Sequence, residues 1–432
     1  MDFGTDGIRG TYGSTIDDGT AYLLGQSLTL LGSDDCPIVV IARDTRVSGE
    51  KLASALAAGV YDGGGNVLNL GILPTNAVAH FTRKFGADFG VMITASHNPP
   101  EDNGLKVFDR YGVKLCGRQQ KVVSSLMKTV GLPSKVPHVS EPIFYDIENI
   151  YQTDVLNAVD VNLDGMNVAL DCCYGASYRV ASSVFSAAGA DVCVTNAKPC
   201  GNKINVNCGA ICPQMFCEQL AESKKQTDIA FAFDGDCDRL LVAEDGKIIS
   251  GGKVYYGICK YLLEQNLLHG DAVVGTTLTN GGVEKSLNAL GIRLVRTDVG
   301  DSNVFAAMAQ LGLNFGGEES GHYLLTDFAT SSDALINALF VAKIFKQKGS
   351  LLKYTEDCEE MPSVLQSVFV GDAFDSLTAA ALSDVATRVQ RLYPDCRLVL
   401  RKSGTERKVR IYVEGQSYDK AASEIVATFA ER

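Results

Sequence analysis

A unit of strand, polar turn, helix, glycine and second strand recurs three times in the first 300 residues. The copies begin with apolar strand patterns at 38–42, 168–170 and 272–275. In each copy a glycine ends the helical stretch, and the second apolar strand begins shortly afterwards. Apolar strands that alternate with helices are typical of βαβ units, whose sheets are parallel or mixed and covered on both faces. The spacing of more than 100 residues is too long for a solenoid, so we predict three similar domains in tandem.

The last part of the chain departs from this unit. Helical patterns at 377–392 and 418–429 flank two short strand patterns, at 397–400 and 409–413. This order predicts a small C-terminal α+β domain with its own hairpin. The predicted fold class is therefore α/β, with three tandem similar α/β domains that have mixed sheets and one small α+β domain. The predicted domain ranges are 1–148, 149–250, 251–362 and 363–432.

The charge of the chain limits the partners it can bind. The 432 residues include 39 Lys and Arg against 51 Asp and Glu, which gives a formal net charge of −12. Non-specific nucleic-acid binding and binding to anionic membranes need a basic surface, so we expect neither. The sequence has no apolar run of 18 residues and no signal-peptide pattern, and its thirteen cysteines lack zinc-ligand spacing. We expect a cytoplasmic protein with reduced thiols, and the sequence leaves a monomer and a homodimer open.

Three carboxylates directly follow an apolar strand pattern at 229–233. Asp234, Asp236 and Asp238 stand at alternate positions, which point to one side of an extended chain. Hard oxygen ligands of this kind suit Mg²⁺, and the repulsion between them favours a bound cation over a solvated acidic turn. An EF-hand loop is excluded because the glycine at its sixth position and the glutamate at its twelfth are missing. The motif therefore predicts one magnesium site.

A second apolar strand ends at a polar turn that contains Ser96. Ligand sites of α/β proteins lie at such strand ends, and the sequence lacks the G-x-S-x-G elbow of an esterase. In an extended chain His97 would point away from Ser96, so we do not expect His97 to deprotonate Ser96 directly. A serine that carries a phosphoryl group fits this turn better than one that attacks a carbonyl. The segment 101–106 is predicted to be a turn that presents Lys106.

Three further polar segments contain candidate binding residues. The segment 401–410, between two predicted strands, combines arginines, hydroxyls and a glycine, which suits a phosphate dianion. The segment 316–323 places a carboxylate, a hydroxyl and an imidazole between glycines, which suits sugar hydroxyls or an amine. Near the start of the chain Arg9 lies between two glycines. Taken singly, each segment is also compatible with an ordinary surface turn.

Together and in this order, five motifs resemble those of the α-D-phosphohexomutase superfamily. They are F-G-T-D-G-I-R-G from residue 3, T-A-S-H-N-P from 94, D-G-D-x-D-R from 234, G-E-x-S-G-H from 317 and R-x-S-G-T-E from 401. The resemblance spans essentially the whole chain and implies four domains around a central cleft. It also implies an isomerase that acts on a sugar phosphate through a phosphoserine and a sugar bisphosphate, with one Mg²⁺ per chain.

The resemblance implies roles for individual residues. Ser96 matches the catalytic phosphoserine, and it would complete the Mg²⁺ ligand set of Asp234, Asp236 and Asp238. The other residues matched to the surroundings of the transferring phosphoryl group are Arg9, His97, Lys106 and Arg239. The residues matched to the sugar-recognition loop are Glu318, Ser320 and His322. The residues matched to the phosphate-binding loop of the last domain are Arg401, Ser403, Gly404, Thr405 and Arg410.

Within the superfamily the chain is most similar to the glucosamine branch. The similarity lies in the opening motif, in the segment 204–210 and in the Ser-Gly-Thr loop that begins at Ser403. That branch interconverts glucosamine 6-phosphate and glucosamine 1-phosphate and supplies amino-sugar nucleotide (UDP-N-acetylglucosamine) and cell-wall synthesis. The alternative is the mannose/glucose branch, because Ser302 occupies a position where the glucosamine branch usually has Arg.

Overall fold

Four β-sheets follow one another along the chain, and helices pack against them. The structure is a computed structural model that describes residues 3–4, 7–32, 35–223, 225–403 and 407–430. Among these residues, no helix combines the length and the apolar character that a membrane span requires.

The first sheet has five strands in the order β1-β5-β4-β2-β3. Its strands are β1 (Ile8–Thr11), β2 (Ile38–Arg43), β3 (Asn66–Ile72), β4 (Phe89–Ile93) and β5 (Asp102–Asp109). The helices in this part of the chain are α1 (Asp18–Thr29), α2 (Gly49–Asp62), α3 (Thr75–Lys84) and α4 (Gly117–Met127).

The second sheet also has five strands, in the order β10-β9-β8-β6-β7. Its strands are β6 (Asn167–Asp171), β7 (Asp191–Thr195), β8 (Ile229–Phe233), β9 (Leu240–Glu244) and β10 (Lys247–Ile249). Its helices are α5 (Ile147–Val159), α6 (Val180–Ala187) and α7 (Pro213–Glu222). Helix α7 begins with Pro213, whose missing N–H costs nothing at the first position of a helix.

The third sheet has four strands in the order β12-β11-β13-β14. Its strands are β11 (Ala272–Thr276), β12 (Arg293–Thr297), β13 (Phe315–Glu318) and β14 (His322–Leu325). Its helices are α8 (Gly251–Glu264), α9 (Gly281–Ala289), α10 (Asp301–Leu311), α11 (Ala334–Lys348) and the short α12 (Leu351–Tyr354).

The fourth sheet is antiparallel, with the order β15-β17-β16. Its strands are β15 (Ser363–Phe369), β16 (Arg397–Lys402) and β17 (Lys408–Glu414). Its helices are α13 (Ala373–Ser376), α14 (Ala379–Leu392) and α15 (Tyr418–Ala430). This part of the chain is the predicted small α+β unit.

The first three sheets share one arrangement of strands. In each, three parallel strands (β3-β2-β4, β7-β6-β8 and β12-β11-β13) are followed by an antiparallel strand beside the last of the three. The prediction of three similar α/β units with mixed sheets is therefore confirmed. The helices end where glycines adopt left-handed backbone, as at Gly189 (φ +100°) and Gly291 (φ +79°).

One apolar core joins the first three sheets. It includes Met92 of the first sheet, Phe231 of the second and Phe315 of the third. Helix α11 packs against α5 and α8 and against strands of the second and third sheets. Its residues 334–342 are buried on all sides because neighbours surround them, whereas its last turn is exposed. The fourth sheet instead has a core of its own, formed with α14 and α15.

The domain boundaries stay a proposal. The predicted boundary after residue 148 falls inside the first turn of α5, whereas those after residues 250 and 362 precede α8 and β15 directly. A first boundary just before α5 would keep that helix in one domain.

Candidate active site

The three equivalent sheets place three polar loops at the same position of the repeated unit. Each loop connects the third parallel strand to the antiparallel strand that follows it. Ser96 lies in the loop between β4 and β5, the carboxylates of 234–238 lie between β8 and β9, and Glu318 and His322 flank the turn between β13 and β14. The repeat thus brings the three loops that contain the candidate site residues toward one another.

Ser96 is buried in a tight turn, and its backbone is left-handed with φ +52°. Its Oγ donates to Oδ2 of Asp234 at 2.9 Å and lies 3.3 Å from Nδ1 of His97. The expectation that His97 points away from Ser96 is wrong, because it assumed extended backbone. The left-handed turn brings neighbouring side chains to the same side, so His97 is within reach of the Ser96 proton.

Asp234, Asp236 and Asp238 converge, with carboxylate oxygens within 4.8 Å of one another. All three side chains are buried. The backbone here is a turn and not the extended chain that the sequence pattern assumed, and Cys237 is left-handed with φ +60°. The carboxylates converge because the loop bends back. Asp234 Oδ1 also accepts hydrogen bonds from the backbone N–H groups of residues 238 and 239.

Lys106 lies on strand β5 and not in the predicted turn. It is 1% exposed, and its Nζ donates to Oδ2 of Asp236 at 2.6 Å and to Oδ2 of Asp238 at 2.7 Å. The segment contains turn-forming residues, but pairing with both β1 and β4 makes it an inner strand of the sheet. Lys106 therefore reaches the acidic loop of the second sheet from the first.

Burial and the close spacing of like charges determine the pKa values of the carboxyl groups in this centre. Burial and the charges of Asp238 and Asp236 raise the pKa of Asp234 to about 8. Burial opposes ionisation of Asp238 too, but Lys106 and His322 hold its pKa well below the usual range. The raised pKa of Asp234 shows that full ionisation of the three carboxylates is unfavourable without a further positive charge.

The residues present fit a divalent cation. Oδ1 of Asp236 and Oδ1 of Asp238 are buried and have no hydrogen-bond partner among the described residues. An unsatisfied buried carboxylate oxygen is costly, and oxygen-only ligand sets are those that Mg²⁺ prefers. The loop is therefore a metal site of the acidic type, with the Ser96 hydroxyl beside it.

Arg9 and Arg239 make the other side of the centre positive. Arg9 is on β1 opposite Gly104 of β5, and Nε of Arg239 is buried without a hydrogen-bond partner among the described residues. Burial lowers the pKa of His97 to about 3, and the charges of Arg239 and Arg9 add to this effect. His97 is therefore a neutral imidazole whose unprotonated nitrogen can accept a hydrogen bond.

His322 is buried between two carboxylates. Its Nδ1 lies 3.7 Å from Asp238 Oδ1, and its Nε2 lies 3.3 Å from Asp301 Oδ2. Although burial lowers it, the pKa of His322 is raised to about 10 by Asp238 and Asp301. Lys114 also contacts Asp301, so a chain of charges joins the third sheet to the metal loop. Asp301 and Lys114 were not predicted from the sequence, although Asp301 directly precedes Ser302, the position that distinguishes the two branches of the family.

The other two residues of the predicted sugar loop differ in exposure. Glu318 ends β13, is partly buried and accepts the backbone N–H of Gly300 at 3.1 Å. Ser320 is exposed at the tip of the turn. Of the three predicted residues, Glu318 and Ser320 thus remain accessible, whereas His322 is held within the protein.

Arg401 and Arg410 face each other across the hairpin of the fourth sheet. They are partners in the antiparallel register of β16 and β17, so their side chains share one face. Nε of Arg401 and Oγ of Ser403 are buried without a hydrogen-bond partner among the described residues. Burial and the Arg410 charge lower the pKa of Arg401. Two positively charged side chains beside these hydrogen-bond donors form a site that suits an anion. Gly404 and Thr405 lie outside the described residues.

Two of the other three cations in the segment 401–410 have structural partners. Lys402 donates to the carbonyl oxygens of Phe374 and Leu377, and Arg407 forms ion pairs with Asp372 and Asp375. They hold the hairpin against α13. The predicted basic loop thus contains an anion-facing pair, Arg401 and Arg410, and two structural cations, Lys402 and Arg407.

Two supporting residues were missed by sequence reasoning. Arg46 is buried and donates to the carbonyl oxygens of Ser96 and Asn98, each at 2.8 Å. Thr75 donates to Oδ2 of Asp236 at 2.5 Å. Arg46 follows the first strand of the first repeat and Thr75 begins α3, and neither position lies in one of the five motifs that indicated the site.

Comparisons with known families agree with this architecture. The family models described as phosphoglucomutase/phosphomannomutase match three parts of the chain: alpha/beta/alpha domain I at residues 1–132, alpha/beta/alpha domain III at 250–361 and the C-terminal domain at 364–432. The chain belongs to this phosphohexomutase family, and the predicted family is confirmed. It is an isomerase of the mutase type.

Comparisons with individual proteins give the degree of similarity in sequence and in fold. The chain is 38% identical over 431 residues to a protein named phosphoglucosamine mutase from Clostridium botulinum (strain Alaska E43 / Type E3), with 96% of this chain and 95% of that one covered. Its fold is similar to that of a phosphoglucomutase/phosphomannomutase family protein from Burkholderia thailandensis, at TM-score 0.78, 24% identity and coverage of 99% and 96%. It is also similar to Aspergillus fumigatus N-acetylphosphoglucosamine mutase in complex with GlcNAc-6P and magnesium, at TM-score 0.67, 18% identity and coverage of 100% and 95%.

Proposed function

We propose that the chain is a phosphoglucosamine mutase that interconverts glucosamine 6-phosphate and glucosamine 1-phosphate. The observation that carries the proposal is the Ser96 hydroxyl, buried against one of three converging carboxylates. The name and the near-complete coverage of the 38% identical relative support the choice of glucosamine. We place the enzyme in the cytoplasm because its thirteen cysteines are free thiols, which suits a reducing compartment.

The reaction we propose has two phosphoryl transfers. In the first, the bond between phosphorus and Ser96 Oγ breaks while a bond to O1 of glucosamine 6-phosphate forms, which gives the 1,6-bisphosphate. In the second, the 6-phosphoryl group moves to Ser96 Oγ and glucosamine 1-phosphate leaves. O1 loses a proton and O6 gains one over the cycle.

His97 is the residue we assign to proton transfer at Ser96. The neutral imidazole lies 3.3 Å from Ser96 Oγ. The phosphoryl group that Ser96 receives brings negative charge that opposes the effect of Arg239 and Arg9 on the pKa of His97, so that the imidazole can take up the hydroxyl proton. Lys106, the other candidate, is held by two carboxylates instead. We assign Lys106 to the neutralisation and placement of Asp236 and Asp238.

Mg²⁺ is the cation that we propose for the acidic loop, held by Asp234, Asp236 and Asp238 with the Ser96 phosphate. When bound, it neutralises charge on the phosphoryl group. Arg9 and Arg239 add positive charge from the protein side, and their placement before the reaction means that little reorganisation is needed.

The phosphate that is not transferred needs a separate anchor, and we assign it to Arg401, Ser403 and Arg410. This anchor holds the 6-phosphate in one half of the cycle and the 1-phosphate in the other, so it must recognise phosphate and not one face of the sugar. The separate core of the fourth sheet suits a unit that moves to close over the substrate and exclude water. Glu318 and Ser320 are our candidates for contacts with the sugar.

A coupled assay of 6-phosphate to 1-phosphate conversion tests the proposal. Glucosamine, glucose and mannose 6-phosphates are compared, each with a trace of the matching 1,6-bisphosphate. We expect the highest kcat/KM with glucosamine 6-phosphate. A preference for mannose or glucose phosphate would assign the chain to the other branch, and release of free phosphate without isomerisation would make it a phosphatase.

A further inference from the structure

Asn205 lies where the Ser96 loop meets the acidic loop. Its Nδ2 donates to the carbonyl oxygens of Ser96 at 2.8 Å and Asn98 at 3.1 Å. Its Oδ1 accepts the backbone N–H of Gly235 at 3.1 Å and the thiol of Cys173 at 3.1 Å. Carbonyl oxygens only accept and a backbone N–H only donates, so these partners fix the orientation of the amide. One buried side chain therefore holds both loops.

The two loops approach each other closely at this point. A Cβ atom on Gly235 would lie 2.7 Å from the Ser96 carbonyl oxygen and 2.9 Å from Asn205 Nδ2, closer than side-chain atoms are found. Gly235 stands directly between Asp234 and Asp236. A displacement of Gly235 would therefore move both carboxylates relative to Ser96.

Arg46 provides a useful contrast, because it binds the same two carbonyl oxygens of residues 96 and 98. Its other hydrogen bonds among the described residues go to Asp44, Pro99 and Asp102, all in the first part of the chain. Arg46 thus fixes the shape of the Ser96 loop. Asn205, which comes from the second sheet's part of the chain, connects that loop to the acidic one.

We propose that Asn205 is a positioning residue that sets the distance between the Ser96 hydroxyl and the carboxylates of 234–238, through its bond to Gly235. This inference rests on the proposed function for the role of Ser96. It gives a role to the segment 204–210, which had only indicated a branch of the family. Residues in the second layer of a metal site commonly act in this way.

Asn207 supplies a matched control. It lies in the same loop with the same left-handed backbone, φ +53° against +62° for Asn205, but its side chain is exposed. Glycine adopts this backbone freely, so Asn205→Gly and Asn207→Gly remove an amide without backbone strain. The two variants differ only in the contacts that the amide makes.

The experiment measures mutase kinetics, Mn²⁺ binding by titration calorimetry without substrate, and thermal unfolding of the full chain. For Asn205→Gly we expect kcat and Mn²⁺ affinity to fall by about 10- to 100-fold. The KM for glucosamine 6-phosphate should stay near the wild-type value, and Asn207→Gly should match the wild type throughout. Wild-type kcat and Mn²⁺ affinity in Asn205→Gly, or an equal loss in Asn207→Gly, would overturn the proposal.

A second variant covers the case in which Asn205→Gly does not fold. Asn205→Asp keeps the size, the left-handed preference and the acceptor for Gly235, but it loses the donor to the carbonyl oxygens of the Ser96 loop. We expect the same order of loss in kcat, and full activity would refute the proposal. If the wild type converts no hexose phosphate, the proposed function fails, whereas the Mn²⁺ titrations still test Asn205.

Discussion

We assign both the Ser96 centre and the arginine hairpin of the fourth sheet to the binding of phosphate groups, but the two regions are built differently. The Ser96 centre is buried, and Lys106, Thr75 and Arg46 hold its parts through hydrogen bonds from several elements. The hairpin is only partly buried, and its Arg401 faces Arg410. In the part of the chain that the structure describes, Nε of Arg401 and Oγ of Ser403 have no hydrogen-bond partner. A preformed centre suits chemistry, whereas open donors on a separately packed unit suit a ligand that arrives and leaves.

This difference predicts that substitutions in the Ser96 centre abolish phosphoryl transfer. The largest loss of activity is expected from Ser96→Ala. The variant lacks the oxygen that carries the phosphoryl group, so we expect no measurable turnover in the coupled assay and no phosphorylated species in intact-protein mass spectra. Ser125→Ala, at an exposed serine of α4, is the control and should behave as the wild type. Substantial activity in Ser96→Ala would rule out a phosphoserine at this position.

A smaller but still large effect is expected from the acidic loop. Asp236→Asn removes one charge from the proposed Mg²⁺ ligands, so kcat should fall by about 10²- to 10³-fold and more Mg²⁺ should be needed for half-maximal rate. The control is Asp245→Asn, an exposed turn residue with left-handed backbone that Asn also tolerates. Activity that persists in the presence of a chelator would contradict the metal assignment.

The smallest effect is expected from the hairpin, and it should appear in binding. A charge-assisted hydrogen bond contributes about 1.5–3 kcal/mol, so Arg410→Ala should lower kcat/KM by about 10- to 150-fold, mainly through KM. Inorganic phosphate should raise the unfolding temperature of the wild type more than that of the variant. Arg407→Ala, which loses only exposed ion pairs with Asp372 and Asp375, should change little. Equal losses in the two variants would remove the distinction between anion-facing and structural cations.

The repeated unit and the positions of the loops could be predicted from the sequence because they depend on apolar periodicity and glycine positions, and the family could be predicted from its resemblance in five motifs. The conformation of the Ser96 turn could not be predicted, because no residue of Thr94-Ala-Ser-His indicates left-handed backbone at the serine. The direction of the His97 side chain relative to Ser96 was therefore predicted wrongly. Lys106 was predicted to lie in a turn, but it lies on a strand because pairing with the neighbouring strands outweighs the turn preference of the local sequence. The hairpin cations could have been separated beforehand, since strand alternation puts Arg401 and Lys402 on opposite faces.

The apolar helix α11 has a consequence for how the chain is made. It packs on α5, which ends at residue 159, yet its own residues 334–348 emerge from the ribosome much later. At about 5–20 residues per second, the surface that α11 covers stays exposed for on the order of ten to several tens of seconds. The first three units cannot complete their packing one by one during synthesis. The nascent chain must remain soluble with an unfinished core, which makes it a natural client for chaperones.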